Sequence, residues 1–221
     1  MNAKADFCLL FDLDGTLTHT DDLHFDAFAT LMAEHGRALD HDTFLRHIVG
    51  ATNEAIMARL FPDLPEQHLE LAERKERLFR DSVTRLTPTP GAPELFGWAE
   101  RHGVGIAVVT NAPRANAELM LAGLGLTDRV DALVIGDELA HGKPHPLPYQ
   151  TGLARLGGYA ERACAFEDSP SGMRAAHAAG IHSYGIAGAL PPQTLLDAGA
   201  AAVIADFTAP ELWRWLERAL G

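Results

Sequence analysis

Cysteine is scarce in this chain, cations are outnumbered, and long apolar runs are missing. Just two cysteines, Cys8 and Cys164, occur in 221 residues. Both lie within apolar runs, which argues against a disulfide framework and for buried free thiols. Lys and Arg number 18 against 30 Asp and Glu, for a net charge of −12. Nucleic acid needs clustered cations, so it is not expected as a partner. A small phosphorylated metabolite needs one or two local cations and stays open. No apolar run approaches the roughly 18 residues of a membrane span, so no membrane partner is expected. Met1-Asn2-Ala3-Lys4-Ala5-Asp6 carries no signal-peptide pattern, and a cytoplasmic location is the expectation. Low-complexity tracts and fixed-period repeats are also lacking. What remains is an ordinary globular composition, 47% hydrophobic and 22% charged. That suits one large domain, or a core with a smaller insert.

Five apolar runs have strand character: Phe7 to Phe11, Gly105 to Val109, Ala132 to Ile135, Cys164 to Phe166 and Ser183 to Ile186. Ala202-Val203-Ile204 is a weaker sixth. Helical segments alternate with them: Pro93 to Arg101, Arg114 to Leu124, Pro146 to Leu156, Ser171 to Ala179 and Pro192 to Asp197. This alternation predicts an α/β fold, a doubly wound, mainly parallel sheet with helices on both faces. Residues 18–86 break the pattern. Their apolar positions recur at helical spacing, as in Phe25, Phe28, Leu31 and Met32, or Ile56, Met57, Leu60 and Phe61. An all-helical insert of roughly four or five helices is expected there. The core would then be 1–17 plus 87–221. Thr87-Pro88-Thr89-Pro90-Gly91 is a stiff return that suits a hinge, so the insert is placed to act as a lid.

The polar residues that carry chemistry stand at strand ends. Asp12 and Asp14 follow the first run, with Gly15 allowing a sharp turn before Thr16. Ligands of open α/β sheets bind beyond the carboxyl ends of the strands. Two like charges there repel and raise a pKa unless a cation joins them. Thr110-Asn111 ends the second run and opens a helix, a place where hydroxyl, amide and backbone N–H groups can hold an anion. Lys143 offers a cation on a turn after the third run, and Glu167-Asp168 form a second acidic pair at the end of the fourth. Singly, each could be a helix cap or a solvated turn. Together they put acids, an anion cradle and a cation at one edge of one sheet.

With its four motifs in order, Asp12-Leu13-Asp14-Gly15-Thr16, Thr110-Asn111, Lys143-Pro144 and Glu167-Asp168, the chain resembles the haloacid dehalogenase superfamily in its Mg²⁺-dependent phosphatase branch. The resemblance implies a Rossmann-like core with a helical cap. It also implies roles. Asp12 would be the nucleophile that forms an aspartyl-phosphate, and Asp14 the general acid and base. Mg²⁺, which takes oxygen ligands, would be held by Asp12, the Asp14 carbonyl and Asp168, with Glu167 close behind. Gly15, Thr16, Thr110, Asn111 and Lys143 would surround the phosphoryl group, with Thr110 and Lys143 acting in catalysis. An acid at Asp14 points to phosphate esters, since true dehalogenases and phosphonate hydrolases lack one there.

The first cap helix carries Leu23-His24, a pair found in the β-phosphoglucomutase-like branch, and Val49-Gly50-Ala51-Thr52-Asn53 matches that branch's substrate loop. His24, Thr52 and Asn53 are therefore expected to face substrate. The mutase has basic residues where this chain has Val49 and Asn53, so a cap cation for a second phosphate is missing at those positions. Thr16 also follows phosphatase habit. The expected activity is hydrolysis of a small phosphate monoester, a sugar phosphate or phosphoglycolate. A phosphosugar mutase is the alternative, and Arg114, at a helix start where the mutase reads a distal phosphate, keeps it open. A non-catalytic binding protein on the same fold would need a broken motif, and none is broken. Monomer and homodimer are both compatible with the sequence.

Overall fold

A computed structural model describes residues 6–49 and 51–220. Gly50 of the expected substrate loop and the extreme N-terminus lie outside the described residues. The chain forms two compact units, one containing the residues up to His19 and those from Thr87 onward, the other Thr20–Leu86.

The first unit is built on six parallel strands: β1 (Cys8–Phe11), β2 (Gly105–Thr110), β3 (Ala132–Ile135), β4 (Ala163–Glu167), β5 (His182–Ile186) and β6 (Ala202–Ile204). They run in the order β3-β2-β1-β4-β5-β6. Each boundary lies within a residue of the apolar run that announced it. Fully buried strands read as continuous apolar runs, and all residues of β1, β2 and β4 are buried. The strand order reverses at β1 and β4, which pair from Cys8 with Ala163 to Phe11 with Phe166. Such a reversal opens a crevice at the carboxyl ends, where ligands bind.

Side chains alternate across β1, so the central strand supports two cores. Cys8 and Leu10 pack with Ala107, Val109 and Ala165 against Tyr149, Leu153 and Leu156 of α7 (Leu147–Leu156). On the other face Phe11 stacks on Phe166, their ring centroids 5.0 Å apart, and meets Phe96 of α5 (Ala92–Arg101) at the same distance. Phe207 closes this cluster edge-on, 5.8 Å from Phe11 and 5.2 Å from Phe166. The remaining helices of the unit are α6 (Arg114–Gly123), α8 (Pro170–Ala178), α9 (Pro192–Asp197) and α10 (Pro210–Leu220). The tryptophans of α10 serve opposite faces, as their spacing implies: Trp213 meets Trp98, whereas Trp215 stacks on His182.

The second unit consists of α1 (Asp21–Glu34), α2 (His41–His47), α3 (Asn53–Leu60) and α4 (His68–Ser82), with one short 3₁₀ turn, Pro65–Gln67. Its own core contains Phe28, Leu31, Phe44, Ile56, Met57, Phe61 and Leu71. Asp40 and Thr52 cap α2 and α3 by accepting from the backbone N–H groups of Thr43 and Ala55. The two connections between units are stitched to each other. Thr18 bridges Pro88, Thr89 N–H donates to the Leu17 carbonyl at 2.9 Å, and the Thr89 hydroxyl donates to the Thr16 carbonyl at 2.7 Å. Among the described residues no helix is long and apolar enough to cross a membrane.

Phe207 joins the ring cluster beneath the β1–β4 pair and is fully buried. Phe207→Ala should cost about 3–5 kcal/mol, as large aromatic truncations in a core do. Urea unfolding followed by circular dichroism checks this as a lowered midpoint.

Candidate active site

Asp12 follows the last residue of β1, and its N–H donates to the Phe166 carbonyl of β4 at 3.0 Å. The central pair of strands thus fixes the first acid beside Glu167 and Asp168. Gly15 turns the chain immediately afterwards, at φ 75°, and a Cβ there would lie 2.0 Å from Asp168 Oδ2. Glycine is required both for the left-handed backbone and for the approach of that carboxylate. A Cβ at Gly172, in the first turn of α8, would lie 1.9 Å from Glu167 Oε1. The small residues make room for the acids.

The Lys143 ammonium donates to Asp12 Oδ1 and to Glu167 Oε1, both at 2.5 Å, and all three side chains are buried. Burial works against the lysine charge. The two carboxylates outweigh it and hold the ammonium well above the ordinary lysine value. Burial pushes the Asp12 carboxyl up to about 8; Lys143 pulls it down, while Glu167 and Asp14 push it up. One lysine is balanced against more carboxylates than it can neutralise. Asp12, Glu167 and Asp168 each bring a ligand oxygen within 4.8 Å of the others. These are hard oxygen donors with excess negative charge, and they suit a Mg²⁺-like cation. The Asp14 carboxylate is not part of that group.

The other expected residues take more particular places. Thr110 is buried at the end of β2, and its hydroxyl accepts from Ala112 N–H at 2.9 Å. Asn111 clamps the next loop: its amide donates to the Lys143 carbonyl at 3.2 Å and its Oδ1 accepts from Lys143 N–H at 3.1 Å. Its side chain therefore holds the Lys143 backbone. Gly15 and Thr16 are likewise engaged locally. Their N–H groups donate within the turn, to the Thr18 and Leu13 carbonyls. The Thr16 hydroxyl is buried without a hydrogen-bond partner. Arg114 holds Glu138 through two nitrogens, at 2.6 and 2.7 Å, and Glu118 through a third at 3.2 Å. A distal phosphate would have to displace these carboxylates.

In the helical unit, His24 Nδ1 lies 2.9 Å from Lys75 Nζ and the ring stacks on Phe79. Lys75 also pairs with Glu76 at 3.1 Å, and the Asn53 amide donates to Glu76 at 3.0 Å. Thr52 is occupied as the cap of α3. So His24 and Asn53 belong to one polar cluster around a buried Lys75–Glu76 pair that the motif search missed. The signal was present. Leu71, Lys75, Leu78 and Phe79 share one face of α4, and a lysine on an apolar stripe is unusual.

Acids and a lysine thus stand at the reversal point of a doubly wound parallel sheet, an arrangement suited to phosphoryl chemistry. The family model described as haloacid dehalogenase-like hydrolase matches residues 9–186, and the chain belongs to that family. It is 32% identical over 204 residues to a phosphorylated carbohydrates phosphatase of Thermotoga maritima, covering 89% of this chain and 93% of the relative. It is 31% identical over 215 residues to a phosphoglycolate phosphatase of Rhodospirillum rubrum, covering 93% and 89%. Among solved structures, CbbY of Rhodobacter sphaeroides in complex with xylulose-(1,5)bisphosphate superposes with a TM-score of 0.81 at 27% identity, covering 90% of this chain and 94% of the other. The protein is a phosphoric monoester hydrolase.

Burial raises the Glu76 carboxyl, but Lys75, Asn53 and His24 outweigh it and hold it below its ordinary 4.5. A depressed carboxyl stabilises the fold above its unfolded value, and that contribution is lost as pH falls. Glu76→Gln should therefore melt below wild type at neutral pH. The gap should close as pH falls below about 4.5, read from paired thermal melts across pH.

Proposed function

We propose that the protein hydrolyses a small phosphate monoester, a sugar phosphate or phosphoglycolate, with Mg²⁺ and through an aspartyl-phosphate on Asp12. The observation that carries this reading is the buried ammonium of Lys143, 2.5 Å from Asp12, beside the Asp12, Glu167 and Asp168 oxygens. The names of the relatives, which include a fructose-1-phosphate phosphatase of Escherichia coli, support the substrate class.

Asp12 attacks phosphorus in line with the ester oxygen, which leaves with a proton from Asp14. Asp14 then takes a proton from water as it attacks the acyl phosphate, restoring Asp12 and releasing phosphate. Lys143 and the Thr110 hydroxyl neutralise and orient the transferring oxygens, whose charge needs donors fixed in advance. Asn111 keeps Lys143 in place. Asp12, Asp168 and the Asp14 carbonyl, with the Glu167 carboxylate beside them, would hold Mg²⁺, which would supply positive charge favouring the ionised nucleophile. Lys143 alone cannot balance three nearby carboxylates.

Asp12→Asn keeps the shape of the side chain and removes its nucleophilicity. We expect kcat to fall by at least about 10³-fold with the circular dichroism spectrum unchanged. Retention of more than about a tenth of wild-type kcat would overturn the assignment. A hydrolysis panel of sugar monophosphates and phosphoglycolate, with Mg²⁺ and with chelator, should release phosphate in the first condition and not the second. The panel includes β-glucose 1-phosphate with a bisphosphate primer. Conversion to glucose 6-phosphate in place of phosphate release would identify a mutase.

A further inference from the structure

Tyr149 lies in the first turn of α7, six residues after the motif lysine Lys143 and outside the four motifs themselves. Its ring belongs to the core under β1 and β2, among Leu10, Val109 and Leu153. A phenylalanine would fill that space equally well. The hydroxyl is what requires explanation, because a buried phenol needs a partner and an apolar core offers none. It finds one in the active site, donating to Glu167 Oε1 at 2.6 Å. The face of the same ring lies 5.3 Å from Lys143 Nζ, within reach of a cation–π contact. Close helix packing makes this possible. A Cβ at Gly152, one turn further along α7, would lie 2.9 Å from Leu10 and 3.2 Å from Val109, so glycine lets the helix press against the sheet.

We propose that Tyr149 is a positioning residue of the metal site, holding Glu167 by its hydroxyl and Lys143 by its ring. This rests on the Mg²⁺-dependent phosphatase reading above. Glu167 Oε1 receives two strong donors, Lys143 and Tyr149, whereas Oε2 receives the weaker Ser169 hydroxyl at 3.3 Å. The carboxylate is thereby fixed in rotation, with Oε2 the less encumbered oxygen. The phenol also takes up part of the charge of Glu167, so that the lysine stays shared with Asp12. Glu167 brings one of the three oxygens of the candidate metal group, and losing a partner that orients such a carboxylate typically weakens metal binding 10–100-fold.

Tyr149→Phe removes the hydroxyl and keeps the ring. Calorimetric titration of the protein with Mg²⁺ alone should show a Kd raised about tenfold, with the melting temperature of the metal-free protein within a few degrees of wild type. With substrate, the Mg²⁺ activation constant should rise in parallel, and kcat at saturating Mg²⁺ should stay within about threefold of wild type. In a Glu167→Gln background the same substitution should leave the Mg²⁺ Kd unchanged, because the hydroxyl acts through that carboxylate. A wild type that binds Mg²⁺ and hydrolyses esters, beside a Tyr149→Phe whose Kd is within twofold, overturns this inference and leaves the phosphatase reading intact. Full additivity in the double variant overturns it as well. A wild type that neither binds Mg²⁺ nor turns over any ester overturns both.

Discussion

One ammonium shared by two buried carboxylates is the constraint around which the active-site half of this molecule is arranged. Lys143 sits at 2.5 Å from both Asp12 and Glu167. Desolvating three charges is costly, and removing one member of such a group typically costs about 3–5 kcal/mol. The fold meets that cost with rigid supports on every side. The two central strands fix the acids, Asn111 grips the lysine backbone in both directions, and Tyr149 fills the space behind. Ser169 contributes twice, capping α8 through Gly172 N–H at 3.1 Å and donating to Glu167. A group of charges held this tightly cannot relax around whatever arrives. Its charges and donors are fixed in advance, which is what electrostatic catalysis requires.

The helical unit follows a different logic. Its buried pair, Lys75 with Glu76, is net neutral, and aromatic rings flank the lysine, Phe28 at 4.7 Å and Phe79 at 5.8 Å. His24 and Asn53 complete hydrogen bonds around it. The buried acids around Lys143 exceed its charge, whereas the buried Lys75–Glu76 pair is balanced.

Much of this was legible in the sequence because buried parallel strands are short apolar runs with polar ends. Phe11-Asp12 and Phe166-Glu167 mark both the ends of β1 and β4 and the acids of the site. The helices of the sheet unit also fall within two residues of their Pro and Gly punctuation. What could not be read depends on partners distant in the chain. Asn111 looks like an anion ligand until the Lys143 loop is folded against it. Arg114 looks available until Glu138 meets it from a different loop. Tyr149 looks like core, and by its ring it is; the rotation of α7 decides that its hydroxyl meets Glu167. Lys75 could have been found, since charge on an apolar helical stripe is a local anomaly. Its identity as the partner of His24 required the packing of α1 on α4.

The pairing of β1 has a consequence for how the chain is made. Its neighbours begin at Gly105 on one side and Ala163 on the other, with the entire helical unit interposed before either. During synthesis β1 waits with both edges unpaired until β2 is made, and with one edge unpaired until β4 is made. The helical unit, whose contacts are local, can condense in the meantime. Closing the sheet around β1 demands long loops and comes late, which makes this segment the point of greatest exposure to aggregation during synthesis. The strand that ends in Asp12 thus keeps one edge open until β4 has been made.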